Sequence, residues 1–164
     1  MTLSYDLVRL LTASPVEDAW EPVFPLLTVD PDGYPRVCLL SRAELTAGPD
    51  TVRCVLRSPH TIANLRGHRR AVLIVVSDRS ARYLRLRVLE VVGDESAAGV
   101  VVRFSVLEVK DDTLDIPLRP MTFWSSAYVR GAERWEENRV LLDRPPAARP
   151  ADGGRASGHG ETIG

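Results

Sequence analysis

The chain's 164 residues, 45% of them hydrophobic and 26% charged, leave room for one ordinary domain with a real apolar core. With 21 Lys and Arg against 22 Asp and Glu, the formal net charge is −1, which excludes the global basic field that draws a protein to nucleic acid or an anionic membrane. Only Cys38 and Cys54 are cysteines; each lies in an apolar run and reads as a small buried hydrophobe, so neither a disulfide framework nor a metal site is expected.

In chain order, SYDLVRLLTA (4–13) places Leu7, Leu10 and Leu11 at helical spacing behind a Ser4 cap. This start has neither the basic residues nor the cleavage site of a signal peptide. No apolar stretch reaches membrane-spanning length either, so the cytoplasm is the default compartment. VFPLLTVD (23–30) is the first predicted strand. PDGYP turns the chain, Pro31 presetting its backbone angle and Gly33 tolerating a positive one. RVCLLSRAEL (36–45) is the second strand and TVRCVLRS (51–58) the third, separated by the turn TAGPD. HTIANLRGH (60–68) is a short helix with Gly67 at its C-terminal end, followed by the fully apolar strand AVLIVVS. ARYLRLRVLEVV (81–92) alternates as a half-exposed fifth strand, GDESAAG connects, and VVVRFSVLEVKDD (100–112) is the sixth. Pro117 and Pro120 predict an irregular crossing with one more short strand, and GAERWEENRVLLDR a charged helix with a narrow apolar face. The domain is expected to span 1–143. Residues 144–164, rich in Pro, Gly and Ala without apolar periodicity, are expected to form a disordered tail in which His159 ligates nothing. Six mostly antiparallel strands with a few helices predict a small β-barrel, whose closure protects strand edges.

The stretch RSPHTIANLRGHRRAVLIVV clusters Arg57, Ser58, His60 and Thr61 where a strand gives way to a helix. Backbone amides at a helix start are unpaired and partly positive, so such a place suits an anion such as a phosphate. A plain helix cap beside surface arginines is the structural alternative.

Four segments in order carry a resemblance: LLTVDPDGYPRV, RVCLLSR, the strand end RSPHTIANL, and RGHRRAVLIVV. Over residues 20 to 110 the chain resembles the pyridoxamine 5′-phosphate oxidase-like family of flavin-binding split β-barrels. The resemblance implies a mainly β, six-stranded split barrel that forms a homodimer with FMN in clefts at the subunit interface. It implies that Arg36, Ser41, Arg57, Ser58, His60 and Thr61 hold the phosphate. The chain departs from true pyridoxamine phosphate oxidases at two places. Ser41 stands where they have a lysine, and Pro59-His60-Thr61 replaces their Ser-Arg-Lys word, so two cations are missing. Their C-terminal substrate segment has no match in the tail.

Two functions are weighed. One is an FMN-dependent oxidoreductase acting on a small organic substrate, the flavin carrying the hydride chemistry. The other is a non-catalytic dimeric module that holds a deazaflavin, a haem or nothing. No catalytic acid or base stands out; His60 could serve but is more simply a cap or surface group, and His68 a helix-end group. Phe123, Trp124 and Trp135 are expected in core or dimer packing rather than against a flavin ring.

Overall fold

The computed structural model describes residues 1–93 and 99–145. Most of the connection GDESAAG and nearly all of the expected tail, His159 included, lie outside the described residues. The helices are α1 (Tyr5–Thr12), α2 (Pro59–His68), α3 (Ala127–Ala132) and α4 (Trp135–Asp143). The strands are β1 (Trp20–Pro22), β2 (Phe24–Val29), β3 (Pro35–Leu40), β4 (Leu45–Ala47), β5 (Thr51–Leu56), β6 (Arg70–Ser77), β7 (Ser80–Val92), β8 (Val100–Thr113) and β9 (Thr122–Trp124). Among the described residues no helix is long and apolar enough to cross a membrane.

Seven strands form one antiparallel sheet in the order β3-β2-β6-β7-β8-β5-β4, while β1 and β9 pair separately. The order itself dictates curvature. At about 4.8 Å per strand, the outermost strands of a flat sheet of this width lie about 29 Å apart. Yet β3 and β4, the two edges, are joined by the link from Leu40 to Leu45, and five Cα steps reach only about 18 Å. The sheet therefore curls until its edges approach, which makes a barrel with an open seam between β3 and β4.

The link explains the strand count, seven in the sheet rather than six. The predicted second strand, 36–45, breaks because Ser41–Glu44 is a turn: Glu44 N–H donates to the Ser41 carbonyl (3.1 Å), and the Glu44 carboxylate accepts from Ser41 N–H (2.9 Å). Inward rows fill the barrel with Phe24, Leu26, Leu73, Leu84, Leu86, Val102 and Phe104, all essentially buried; each such side chain stabilises the fold by about 1.5–3 kcal/mol. α1 closes one end through Leu7 and Leu11, capped by Ser4 as the sequence implies, and α2 packs Ile62 and Leu65 into the same core.

α2 ends at His68, where the predicted helix ends, and begins one residue earlier, at Pro59. Arg69 takes the left-handed cap (φ 54°), and its guanidinium donates to the carbonyls of Val88 (2.9 Å) and Leu89 (3.4 Å), which offsets the strain of a side chain at positive φ. Gly33 sits at φ 90° in the β2–β3 turn, as its residue type predicts.

Candidate functional site

Ser58 accepts hydrogen bonds from Thr61 N–H (3.4 Å) and Thr61 Oγ1 (3.1 Å), so the hydroxyl pair caps α2. Thr61 is buried and His60 exposed. One turn further on, Asn64 is buried, and its Nδ2 donates to Thr28 Oγ1 (3.1 Å) and to Asp30 Oδ1 (2.7 Å). Arg36 Nε, from β3, donates to the same Asp30 oxygen (2.9 Å). The Arg36 and Asn64 hydrogen bonds hold the Asp30 carboxyl below the usual carboxylate range, with His60 adding a smaller favourable field. Arg36 and His60, far apart in sequence, thus share one neighbourhood tied to α2, and its anion is the protein's own Asp30.

Ser41 and Arg57 belong to a second group. Ser41 is buried, and both its N–H and its Oγ donate to Glu44 Oε2 (2.9 and 3.2 Å). Arg57 Nη2 donates to Asn138 Oδ1 (2.7 Å), and the fully buried Asn138 is anchored by donating to the Glu133 carbonyl (2.8 Å). Burial drives the Glu44 carboxyl up to about 7; the charge of Glu133 raises it further, while the Ser41 bonds and the field of Arg57 oppose the rise. The six residues expected to hold a phosphate therefore fall into two clusters and a cap. Gly99, at φ 91°, runs so close to Arg57 that a Cβ there would lie 3.1 Å from its Cγ, which fixes the stem of that arginine.

Sequence reasoning missed the partners rather than the cluster. Asp30 falls at the end of the first predicted strand, Glu44 within the second and Asn138 in the charged helix, with nothing local to mark them as partners. A signal existed for Asn64: it falls three residues after Thr61 and between Ile62 and Leu65, on the face that helical spacing buries. Another missed group is Glu21, buried on β1, which binds Arg42 with two contacts of 2.8 Å and accepts from Val16 N–H (2.9 Å). Of the aromatics, Trp135 is buried as expected. Trp124 lies outside the core of the single chain, half-exposed and edge-on to Trp20 at 5.5 Å, because the β1–β9 ribbon stands outside the main sheet.

No family model and no curated protein matches the chain. Solved structures do. A conserved hypothetical protein of Mycobacterium tuberculosis is 13% identical with a TM-score of 0.51, covering 73% of this chain and 92% of its own. The HupZ protein of Group A Streptococcus is 14% identical with a TM-score of 0.50, covering 66% and 98%. An FMN-binding protein of Syntrophomonas wolfei is 17% identical with a TM-score of 0.49, covering 68% and 85%. At such identities the likeness is one of fold, and the curled seven-stranded sheet with its open seam says which.

The chain is a split β-barrel.

In this split barrel the cysteines are hydrophobes, as their sequence context implies. Burial pushes the Cys38 thiol up to about 11 and the Cys54 thiol well above its ordinary value, so neither is a ready nucleophile. The outer face of β3 is another matter. Val37 and Leu39 are 55% and 56% exposed, with Val29 of β2 beside them at 45%. These side chains form a contiguous apolar strip at the sheet's β3 edge.

Proposed function

We propose that this split barrel binds a flavin nucleotide, FMN in the first place, as a homodimer, and uses it in an oxidoreductase reaction on a small organic substrate. The observation that carries the reading is the Asp30 neighbourhood. Arg36 from β3, Asn64 from α2 and His60 at the α2 start surround one carboxylate and favour its negative charge, the environment that a phosphate monoester requires. Thr61 and Ser58 add hydroxyls at the helix start. A phosphate here would take Arg36 from Asp30, and Asp30 would have to turn outward. In this reading Ser41 and Arg57, engaged by Glu44 and Asn138, support the seat rather than touch the phosphate. When bound, the flavin supplies hydride transfer, and the chain's residues bind and orient it. The exposed strip Val29, Val37 and Leu39 supports a second copy packing against β3.

The test is purification without added cofactor, followed by absorbance in the flavin bands and by FMN reloading. Wild-type protein is expected to retain or take up FMN, Arg36→Ala and Thr61→Ala to lose most of that retention, and Lys110→Ala at the far end of β8 to keep it. Equal retention in all of them would move the phosphate elsewhere.

A second reading has its own observation. Asp30 and Glu44 already satisfy Arg36 and Ser41, so a barrel that never releases them is a non-catalytic module for a deazaflavin, a haem or no ligand. A colourless protein that FMN does not shift selects this reading.

A further inference from the structure

We propose that the outer groove between β2, β6 and β7 binds an organic anion with an apolar body, held by Arg70 and Arg87. The argument starts from strand register. β6 and β7 pair antiparallel so that Arg70 stands directly opposite Arg87, and Val72 opposite Arg85. Both members of the first pair are exposed, on the face away from Leu84, Leu86 and Val88. Like charges facing each other across a ladder repel. Surface arginines usually relieve this with a carboxylate, and the neighbouring Arg85 does so, its Nη1 lying 2.8 Å from Glu108. Among the described residues the guanidiniums of Arg70 and Arg87 have no hydrogen-bond or ion-pair partner. Arg70 and Arg87 are thus cross-strand partners whose two positive charges have no counter-charge among the described residues.

What lies beside them is apolar and concave. A groove of about 470 Å³ runs past the two arginines, floored by Leu27 and Val72, which are themselves cross-strand partners, and walled by Val29, Pro35 and Leu107. That volume falls in the range of small-molecule sites. An apolar floor with two forked cations at one end fits a carboxylate, sulfonate or phosphate monoester carrying a hydrocarbon or aromatic body, the guanidiniums taking the oxygens in paired hydrogen bonds. The site uses none of the residues assigned to the flavin phosphate, so it does not depend on where that phosphate sits; Val29 is the one residue it shares with the strip proposed for the second copy.

The test uses the full chain and the dye 1-anilinonaphthalene-8-sulfonate, whose ring system and sulfonate match the groove, followed by fluorescence titration. Wild type is expected to bind saturably, and the double variant Arg70→Ala/Arg87→Ala to bind at least about tenfold more weakly. Arg70→Lys/Arg87→Lys should keep an intermediate affinity. Melting temperature guards against misfolding: removing the facing pair should leave the unliganded protein at least as stable as wild type, while dye no longer raises its melting temperature. Decanoate and monodecyl phosphate tell a carboxylate from a phosphate ligand, since displacement of the dye by either supports the site and the stronger competitor names the head group. Displacement by decanol as effective as by decanoate, unchanged affinity in the double alanine variant, or no saturable binding to wild type would each overturn the proposal.

Discussion

Glu44 sets a pH dependence that can be worked through with its sign. Its folded carboxyl titrates at about 7, raised mainly by burial from an ordinary 4.5. Below about 4.5 both folded and unfolded chains hold the proton, and the group is neutral in effect. Between about 4.5 and 7 the folded chain holds more protons than the unfolded one, so stability falls as pH rises, and above 7 the loss is complete. The size is on the order of 3 kcal/mol at about 1.4 kcal/mol per pH unit. Glu44→Gln, which cannot ionise, is expected to flatten that part of the stability profile and to exceed wild type at pH 8, measured by urea unfolding across the range. An unchanged slope would mean that the carboxylate is solvated. Asp30 works in the opposite direction, its carboxyl held low chiefly by Arg36 and then by Asn64. Asp30→Asn should free Arg36 and raise FMN affinity by about tenfold or more, read by calorimetry; an affinity no greater than wild type would show that Asp30 does not compete with the phosphate.

Among the elements, the break between β3 and β4 is the one the residue pattern could not reveal. RVCLLSRAEL alternates well enough to read as a single strand, and only the Ser41–Glu44 hydrogen bonds turn it across the barrel seam. Those bonds depend on where two edges of a sheet meet, a long-range fact absent from local periodicity. The helices were more legible because their signals are local: Ser4 and Ser58 cap as their residue type implies, and Ile62 and Leu65 bury the predicted face. The cluster of candidate residues was visible in the sequence, but not its partners, since Asp30 and Asn138 reach Arg36 and Arg57 from other elements. β1 shows what such missed partners are worth. Glu21 is 1% exposed and clamps Arg42 by two hydrogen bonds, tying the β1–β9 ribbon to the β3–β4 turn. Glu21→Ala leaves Arg42 without its carboxylate and is expected to cost about 3–5 kcal/mol in chemical denaturation; a loss under about 1 kcal/mol would mean that the clamp is solvated.

For the whole molecule, fold and function rest on different grounds. The split barrel follows from strand order and link length, and the order of the sequence segments over residues 20 to 110 agrees with it. The proposed flavin binding rests on how the barrel places α2 against the β2–β3 hairpin. The outer strip of Val29, Val37 and Leu39 adds an assembly that can be measured: light scattering behind gel filtration is expected to give a dimer, and Val37→Glu/Leu39→Glu a folded monomer. A monomeric wild type would remove the shared cleft from the account. The most direct measurement is a parallel calorimetric titration of the apo-protein with FMN and with riboflavin, which differ by the phosphate alone. The Asp30 neighbourhood requires FMN to bind at least about tenfold more tightly, with Arg36→Ala erasing the difference. Equal affinities for the two flavins, or no heat from either, would contradict it.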